Sequence, residues 1–378
     1  MTAIVVGAGI LGLAHAYAFA RRGYRVIVTE RYPFASGATV RNFGMVWPIG
    51  QPLGDRRELA LASREHWLTV VRESGMWHRE CGSLHLAYHD DEAAVIEEFL
   101  AGAGGETGQW LDAAGVLARS PSVRTTGTGG DLKGGLWSPW ELAVDPRTAA
   151  ADVARYLHDR YAVEFRWGTA ALTAETDNGG AIVALPDETL RADYVVVCPG
   201  TEPGQIFGDQ LRAAGMQLCR LQMLRAETEI KLGTHLCAGL TLLHYGNFAS
   251  LNGLAAVRER LGREWPGYAE NGIHLLVSQH ADGTLTIGDT HHYAEHFPPY
   301  GDTRLDDMVL RYLDTFLPVE EIRVVQHWDG VYGKHPTEPY LSLPVGHRVR
   351  IVGSAGGAGM TLSFGIGERE ISRWIDER

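Results

Sequence analysis

"VVGAGILGLA", residues 5–14, decides how this 378-residue chain folds. Gly7, Gly9 and Gly12 stand in G-x-G-x-x-G spacing. The apolar run at 3–6 suits a strand buried on both faces. Residues 10–22 read as a helix with Gly23 as its stop, and "RVIVTE" at 25–30 as a second strand ending on Glu30. Each part has a physical task. Gly7 permits a tight turn, Gly9 lets a pyrophosphate approach the backbone, and Gly12 lets helix and strand pack closely. The helix N-terminus offers unpaired N–H groups to phosphates. Glu30 follows Gly12 by 18 residues, near the distance at which an acid grips a ribose hydroxyl and disfavours a 2′-phosphate. The unit is expected to bind a dinucleotide other than NADP, and by itself leaves NAD and FAD open.

Two further stretches bear on that choice. "SGATVRNFGMVWP" at 36–48 is a polar, glycine-punctuated loop soon after the second strand, where FAD would run on towards its flavin. "ADYVVVCPG" at 192–200 is an apolar strand ending in Pro-Gly, the kind of junction that passes close to a bound cofactor.

Bulk composition narrows the class. The chain is 45% hydrophobic and 21% charged, ordinary for a globular protein long enough for two domains. A net charge of −12 argues against a nucleic-acid surface. Lys133, Lys231 and Lys334 are the only lysines beside 31 arginines, which reads as codon bias. Cys81, Cys198, Cys219 and Cys237 form no close pair, so a disulfide framework is not expected and a cytoplasmic location is. Residues 3–20 carry no Asp, Glu, Lys or Arg, but they lack a basic leader and are shorter than a span of about 20 residues. Neither a membrane span nor a targeting signal is expected.

The motifs, taken in order, resemble the FAD-dependent D-amino-acid oxidase superfamily, in the branch with glycine oxidase and sarcosine oxidase. The resemblance runs through the fingerprint at 7–12, Glu30, the loop at 36–44, "VDPR" at 144–147, "ADYVVVCPG", "HWDGVYG" at 327–333 and a glycine run, "GSAGGAGMTLSFGIG", at 353–367. A finer resemblance is to a subgroup associated with phosphonate catabolism, through "VRNFGMVWP" (40–48), "CGSLHLAY" (81–88), "GIHLLVSQ" (272–279), "IGDTHHY" (287–293) and "GGAGMTLSFG" (356–365). The resemblance implies an α/β fold. A Rossmann-like FAD-binding domain would be assembled from 1–80, 141–215 and 320–378. A substrate domain of α+β type, with a mainly antiparallel sheet, would hold 81–140 and 216–319. Two local signals agree: a hairpin at 273–290 around Asp282-Gly283, and a helix after 144–147 with Pro146 near its first position.

The resemblance implies FAD, an amine substrate, and hydride transfer to the flavin followed by imine hydrolysis; some relatives attach the flavin through Cys or His, no residue here matches that pattern, and FAD is expected to be non-covalent. Its cofactor contacts carry over to Gly7, Gly9, Ile10, Leu11, Gly12, Glu30, Arg31, Ser36, Gly37, Ala38, Thr39, Arg41, Asn42, Phe43, Gly44, Ala171, Cys198, Pro199, Gly200 and Gly330. The C-terminal glycine run lies between an expected strand at 348–353 and a helix within 360–377. Gly356, Gly357, Ala358, Gly359, Met360 and Thr361 would aim backbone N–H groups at the flavin pyrimidine end, where negative charge develops on reduction. The two glycine loops thus serve opposite ends of one cofactor, which favours FAD over NAD.

One departure bears on the substrate. Relatives of the glycine-oxidase type read W-x-G-x-R-P where this chain reads Trp328-Asp329-Gly330-Val331-Tyr332-Gly333. Tyr332 stands in the slot of an arginine that would pair a carboxylate in a bidentate fork. An anionic group would instead be held among Arg41, Lys334, His335, His244, Tyr245, His291 and His292, a dispersed set suited to a phosphonate. The expected substrate is a small amine bearing an anion, 2-aminoethylphosphonate or its N-methyl form. Glycine, sarcosine or a D-amino acid is the alternative within the enzyme class, and a non-catalytic flavin-binding subunit is the alternative outside it. Lys334 has a second reading as a flavin-side lysine that activates oxygen; the acceptor, oxygen or another carrier, stays open, as does oligomeric state. His292 and His296 are four apart and would share a helix face, but no acid pattern accompanies them, and no metal site is expected.

Overall fold

The computed structural model describes residues 1–376 apart from Thr128, Asn178 and Pro203. Those three, with Glu377 and Arg378, fall inside the expected domain ranges and lie outside the described residues.

The fingerprint folds as its spacing requires. Strand β1 (Thr2–Val6) leads through the glycine turn into helix α1 (Ile10–Arg21), and strand β2 (Arg25–Glu30) returns parallel to β1. Gly7 has φ +100, and a Cβ there would stand 2.3 Å from Cys198 O. A Cβ on Gly12 would stand 1.9 Å from Gly7 O, so only glycine lets the helix approach the turn. Helix α1 is apolar nearly all round and is buried nearly all round, from Ile10 to Ala20.

Five parallel strands make the first sheet, in the order Glu164–Trp167, β2, β1, Tyr194–Val197, Val349–Gly353. Leu341–Val345 closes one edge antiparallel. Their near-continuous Val and Ile content fits burial on both faces. One face packs against α1, the C-terminal helix Gly359–Asp376 and the helix Pro146–Tyr161. The other carries the small antiparallel sheet Thr173–Asp177, Gly180–Ala184 and Thr189–Ala192. Pro146 does open its helix, and the Asp145 carboxylate caps it by accepting from Arg147 N.

The second large sheet has nine strands and its own apolar core. All its pairings are antiparallel except that of His235–Cys237 with Ser83–Ala87. Leu276–Gln279 and Leu285–Gly288 form the hairpin around Asp282-Gly283, with Gly283 at φ +81. The long strand Ile322–Lys334 pairs along the whole of Gln217–Thr228, with one irregularity at Arg225/Ala226. Its end reaches the glycine turn of the first sheet through a bridge between Lys334 and Ala355. The strand therefore carries Gly330, Tyr332 and Lys334 from one sheet to the other. Among the described residues no helix is long and apolar enough to cross a membrane.

Candidate active site

Two cavities, of about 420 and 510 Å³, meet along Ile10, Thr39, Val331, Tyr332, Ser354 and Gly356. The larger runs from Glu30 and the fingerprint turn towards the C-terminal glycine run. Gly7, Gly9, Leu11, Gly12, Arg31, Ser36, Gly37, Ala171, Cys198, Pro199 and Gly200 line it. Ile10, Ala38, Thr39, Arg41, Gly356 and Gly359 line both cavities. The Glu30 carboxylate accepts from Ala8 N at 2.9 Å and Tyr32 N at 3.1 Å, which ties the strand end to the turn. Thr39 Oγ1 accepts from Ile10 N at 2.9 Å and so fixes the following loop over the start of α1.

Asn42, Phe43, Gly330, Gly357, Ala358, Met360 and Thr361 line the smaller cavity with Tyr332, Lys334, His335, His244, Tyr245 and His291. Two expectations fail. Gly44 lines neither cavity: at φ +68, with a Cβ position 2.0 Å from Val144 O, it serves close backbone packing. His292 also lines neither; its Nε2 lies 3.1 Å from Asn271 Oδ1. His292–Ala294 is a strand, not a helix, so His292 and His296 share no helix face. Adjacent residues in extended chain point to opposite sides, and His291 takes the cavity side.

The C-terminal turn is held firmly. Trp67 Nε1 donates to Met360 O at 2.8 Å, and Thr361 Oγ1 accepts from Trp47 N at 2.9 Å. Met360 and Thr361 open the helix Gly359–Asp376, whose N-terminus therefore faces the cavity. Trp47 Nε1 and Ser354 Oγ are buried in the cavity walls without a hydrogen-bond partner among the described residues. Orphaned polar groups beside side-chain-free glycines fit a polar planar ligand end. The fingerprint turn and Glu30 fit a pyrophosphate and ribose at the other end. FAD has both ends, and the cleft suits it.

The remaining wall is polar. Lys334 Nζ donates to Tyr293 Oη at 3.3 Å, and among the described residues no carboxylate pairs with it. His335 Nδ1 accepts from Glu338 N at 2.9 Å and organises the turn after the strand. Arg41 is committed to Ser36 O and Asp329 O, at 3.0 and 3.3 Å. Burial pushes the Tyr332 phenol well up, so it stays a neutral donor. Burial, then the neighbouring His274 and His291, hold His244 well below the ordinary histidine value. Its ring is exposed and lines the cavity, with His274 and His291 against it. Burial likewise lowers His291, against the opposing pull of Asp289.

Sequence reading missed Trp47, Arg56, His274 and Asp289, all of which line the cavity. Trp47, His274 and Asp289 lay inside quoted motifs, while Arg56 had no local signal at all. Arg56 Nη2 donates to Thr337 O at 3.3 Å and adds a second cation beside Lys334.

The chain matches the profile described as "FAD dependent oxidoreductase" (DAO) over residues 2–369. Over 248 residues it is 31% identical to the tRNA 5-methylaminomethyl-2-thiouridine biosynthesis bifunctional protein MnmC of Chromobacterium violaceum, covering 62% of this chain and 36% of that one. The chain thus spans about a third of the length of the first curated relatives it matches. Among solved structures it resembles glycine oxidase from Bacillus cereus, with TM-score 0.76 and 15% identity over 100% of this chain and 95% of that one. It also resembles L-proline dehydrogenase from P. horikoshii, with TM-score 0.77 and 16% identity over 100% and 94%. Those likenesses establish the fold; the profile match, spanning both glycine loops and the strand that joins the sheets, establishes the family. The chain belongs to the DAO family of FAD-dependent oxidoreductases.

Proposed function

We propose that this protein oxidises the C–N bond of a small amine that also carries an anionic group, with 2-aminoethylphosphonate or its N-methyl form as the preferred substrate. The observation that carries the reading is the cavity wall at the C-terminal turn. It presents a neutral tyrosine where a carboxylate fork would stand, and two cations, Lys334 and Arg56, to one side. The phosphonate-associated motifs quoted above support the same choice. Residues 1–80, 141–215 and 320–378 are taken as the cofactor-holding unit, and 81–140 with 216–319 as the substrate-holding unit.

FAD, bound along the cleft, supplies the two-electron acceptor for a hydride from the carbon that bears the nitrogen. The chain does the rest. The fingerprint turn and Glu30 hold the dinucleotide end. Backbone N–H groups at Gly357–Thr361 and the helix N-terminus favour negative charge at the opposite end. Lys334 and Arg56 hold the anion, and Tyr332 donates a neutral hydrogen bond. The walls restrict water until the imine is released to hydrolysis. The products are phosphonoacetaldehyde and ammonia, or methylamine from the N-methyl substrate.

Anaerobic titration of purified holoenzyme with 2-aminoethylphosphonate, its N-methyl form, glycine, sarcosine and D-alanine tests the reading. Bleaching of the flavin band by the phosphonates at the lowest concentrations is expected. A preference of tenfold or more for glycine, sarcosine or D-alanine sinks it, and no bleaching by any amine favours a non-catalytic subunit.

A further inference from the structure

Three histidines from three separate segments meet in the cavity wall. His244 ends the short helix Leu240–His244, His274 precedes the strand Leu276–Gln279, and His291 follows the strand Leu285–Gly288. One nitrogen from each lies within 4.8 Å of those of the other two. Ring centroids are 3.6 Å apart for His244 and His274, 4.6 Å for His244 and His291, and 5.0 Å for His274 and His291.

What the rings present to their common centre follows from their outer nitrogens. His291 Nδ1 lies 3.0 Å from Gly272 O, and a carbonyl only accepts, so the proton is on Nδ1 and Nε2 carries a lone pair. Gly272 makes this approach possible: its φ is +57, and a Cβ there would stand 2.6 Å from His291 Cβ. His274 Nδ1 lies 3.0 Å from Asp289 Oδ1, within ion-pair distance, yet neither atom has an aligned hydrogen-bond partner among the described residues, so both are buried polar atoms left unsatisfied beside the cluster. His291 Nε2 then faces Asp289 Oδ2 at 3.8 Å. Asp289 is 3% exposed, so little water screens this meeting of a lone pair and a carboxylate. A shared proton or a shared metal ion relieves that meeting, and three ring nitrogens converging at one point favour the metal ion.

We propose that His244, His274 and His291 hold one divalent transition-metal ion of the zinc type. Neutral imidazole is a preferred ligand for such ions. The carbonyl of Gly272 and the carboxylate of Asp289 are the outer partners that orient ligating histidines and raise their basicity. Three protein ligands leave one coordination position open towards the cavity that also holds Tyr332 and Lys334. Zinc–nitrogen bonds of about 2.0–2.1 Å would draw the nitrogens together by side-chain rotation. On the reading given under Proposed function, an oxygen of the substrate anion takes the open position. That clause rests on that reading; the ion does not.

The test uses untagged holoenzyme exchanged against zinc, freed of excess metal by gel filtration, and measured for zinc by mass spectrometry and for FAD by absorbance. About one zinc per FAD is expected for the native chain, and about a tenth of that or less for the double variant His274→Ala/His291→Ala with FAD retained. His292→Ala, whose ring lies outside the cavity, is expected to keep its zinc. Should the double variant not fold, His244→Ala replaces it, because that ring faces the cavity. Native protein that stays below about a tenth of an equivalent after exchange with zinc, manganese, cobalt and nickel in turn overturns the proposal. So does equal stoichiometry in the folded variant. Phosphonoacetate titrated against zinc-loaded and chelated holoenzyme, followed by the flavin spectrum, tests the substrate clause. At least tenfold weaker binding without zinc is expected, and equal binding overturns that clause alone. Zinc bound at full stoichiometry in a protein whose flavin no amine reduces would instead overturn the oxidation reading.

Discussion

A Cβ on Gly357 would stand 3.4 Å from the Tyr332 hydroxyl, so the strand that leaves the nine-stranded sheet touches the glycine turn of the parallel one. This contact puts the tyrosine that replaces the expected arginine beside the cofactor end of the cavity. Its phenol is held neutral by burial and has a hydrogen bond, not a charge, to offer.

Tyr332→Phe keeps the ring and removes only that donor. We expect kcat/KM for 2-aminoethylphosphonate to fall by about 10- to 100-fold, the worth of one hydrogen bond to a charged group. FAD content should not change. Steady-state kinetics beside the flavin absorbance ratio checks this, and an unaltered kcat/KM would remove Tyr332 from the substrate wall.

The fingerprint glycines should separate by what a side chain would strike. Gly7→Ala and Gly12→Ala drive a methyl into backbone, 2.3 Å from Cys198 O and 1.9 Å from Gly7 O. Each is expected to cost about 2–3 kcal/mol or more and to empty the site of FAD. A Cβ on Gly9 meets only Thr39 Oγ1, at 3.2 Å, a side chain that rotates. Gly9→Ala should therefore leave the thermal midpoint within a few degrees while weakening FAD, as read by thermal melts with and without added cofactor.

Lys334→Gln and Arg56→Gln each remove a cavity cation; Glu338, in the same wall, acts on Arg56 and offsets part of its charge. In the anaerobic reductive half-reaction, substrate Kd is expected to rise by about tenfold for each, with little change in the limiting rate of flavin reduction. Working without oxygen separates anion binding from any part Lys334 plays in reoxidation. A lowered limiting rate at unchanged Kd would argue against the anion role.

Acid should destabilise the fold through two buried histidines beside Trp47. His85 and His235 have ring centroids 5.6 and 5.9 Å from the indole, and burial lowers each from 6.5 to about 3. Both stay neutral in the fold, while the unfolded chain takes up their protons below its ordinary histidine pKa. Stability is therefore full above pH 6.5 and falls as pH drops towards 3. At pH 5 each contributes a loss of about 2 kcal/mol. Urea midpoints at pH 7 and pH 5 should show it, and His85→Leu should reduce the difference by about 2 kcal/mol, the other buried histidines keeping the rest. A pH-independent midpoint in the native chain would refute the assignment.

Much of the fold was legible because its rules are local. Gly7, Gly9, Gly12 and Glu30 sit within one strand–turn–helix–strand unit, where each task concerns a neighbour in the chain. Asp282-Gly283 and Pro146 likewise act on the few residues around them. The cavity was legible only in part. His291 and His292 are alike in sequence, yet extended backbone sends one inward and one outward. Gly44 reads like a cofactor-loop glycine, and only the approach of Val144 O shows that its task is packing.

The sequence by itself determined the dinucleotide fold, the FAD reading and the replacement of arginine by Tyr332, since these rest on residue types at fixed short spacings. Only the tertiary structure decided which distant residues share a wall. Trp47 and Arg56 come from the stretch after the second strand, and His274 and Asp289 from the two arms of one hairpin far along the chain; the strand that crosses between the sheets and the packing of the two cores bring these pairs together. No spacing along the chain encodes that convergence, because it depends on how two independently packed cores are joined.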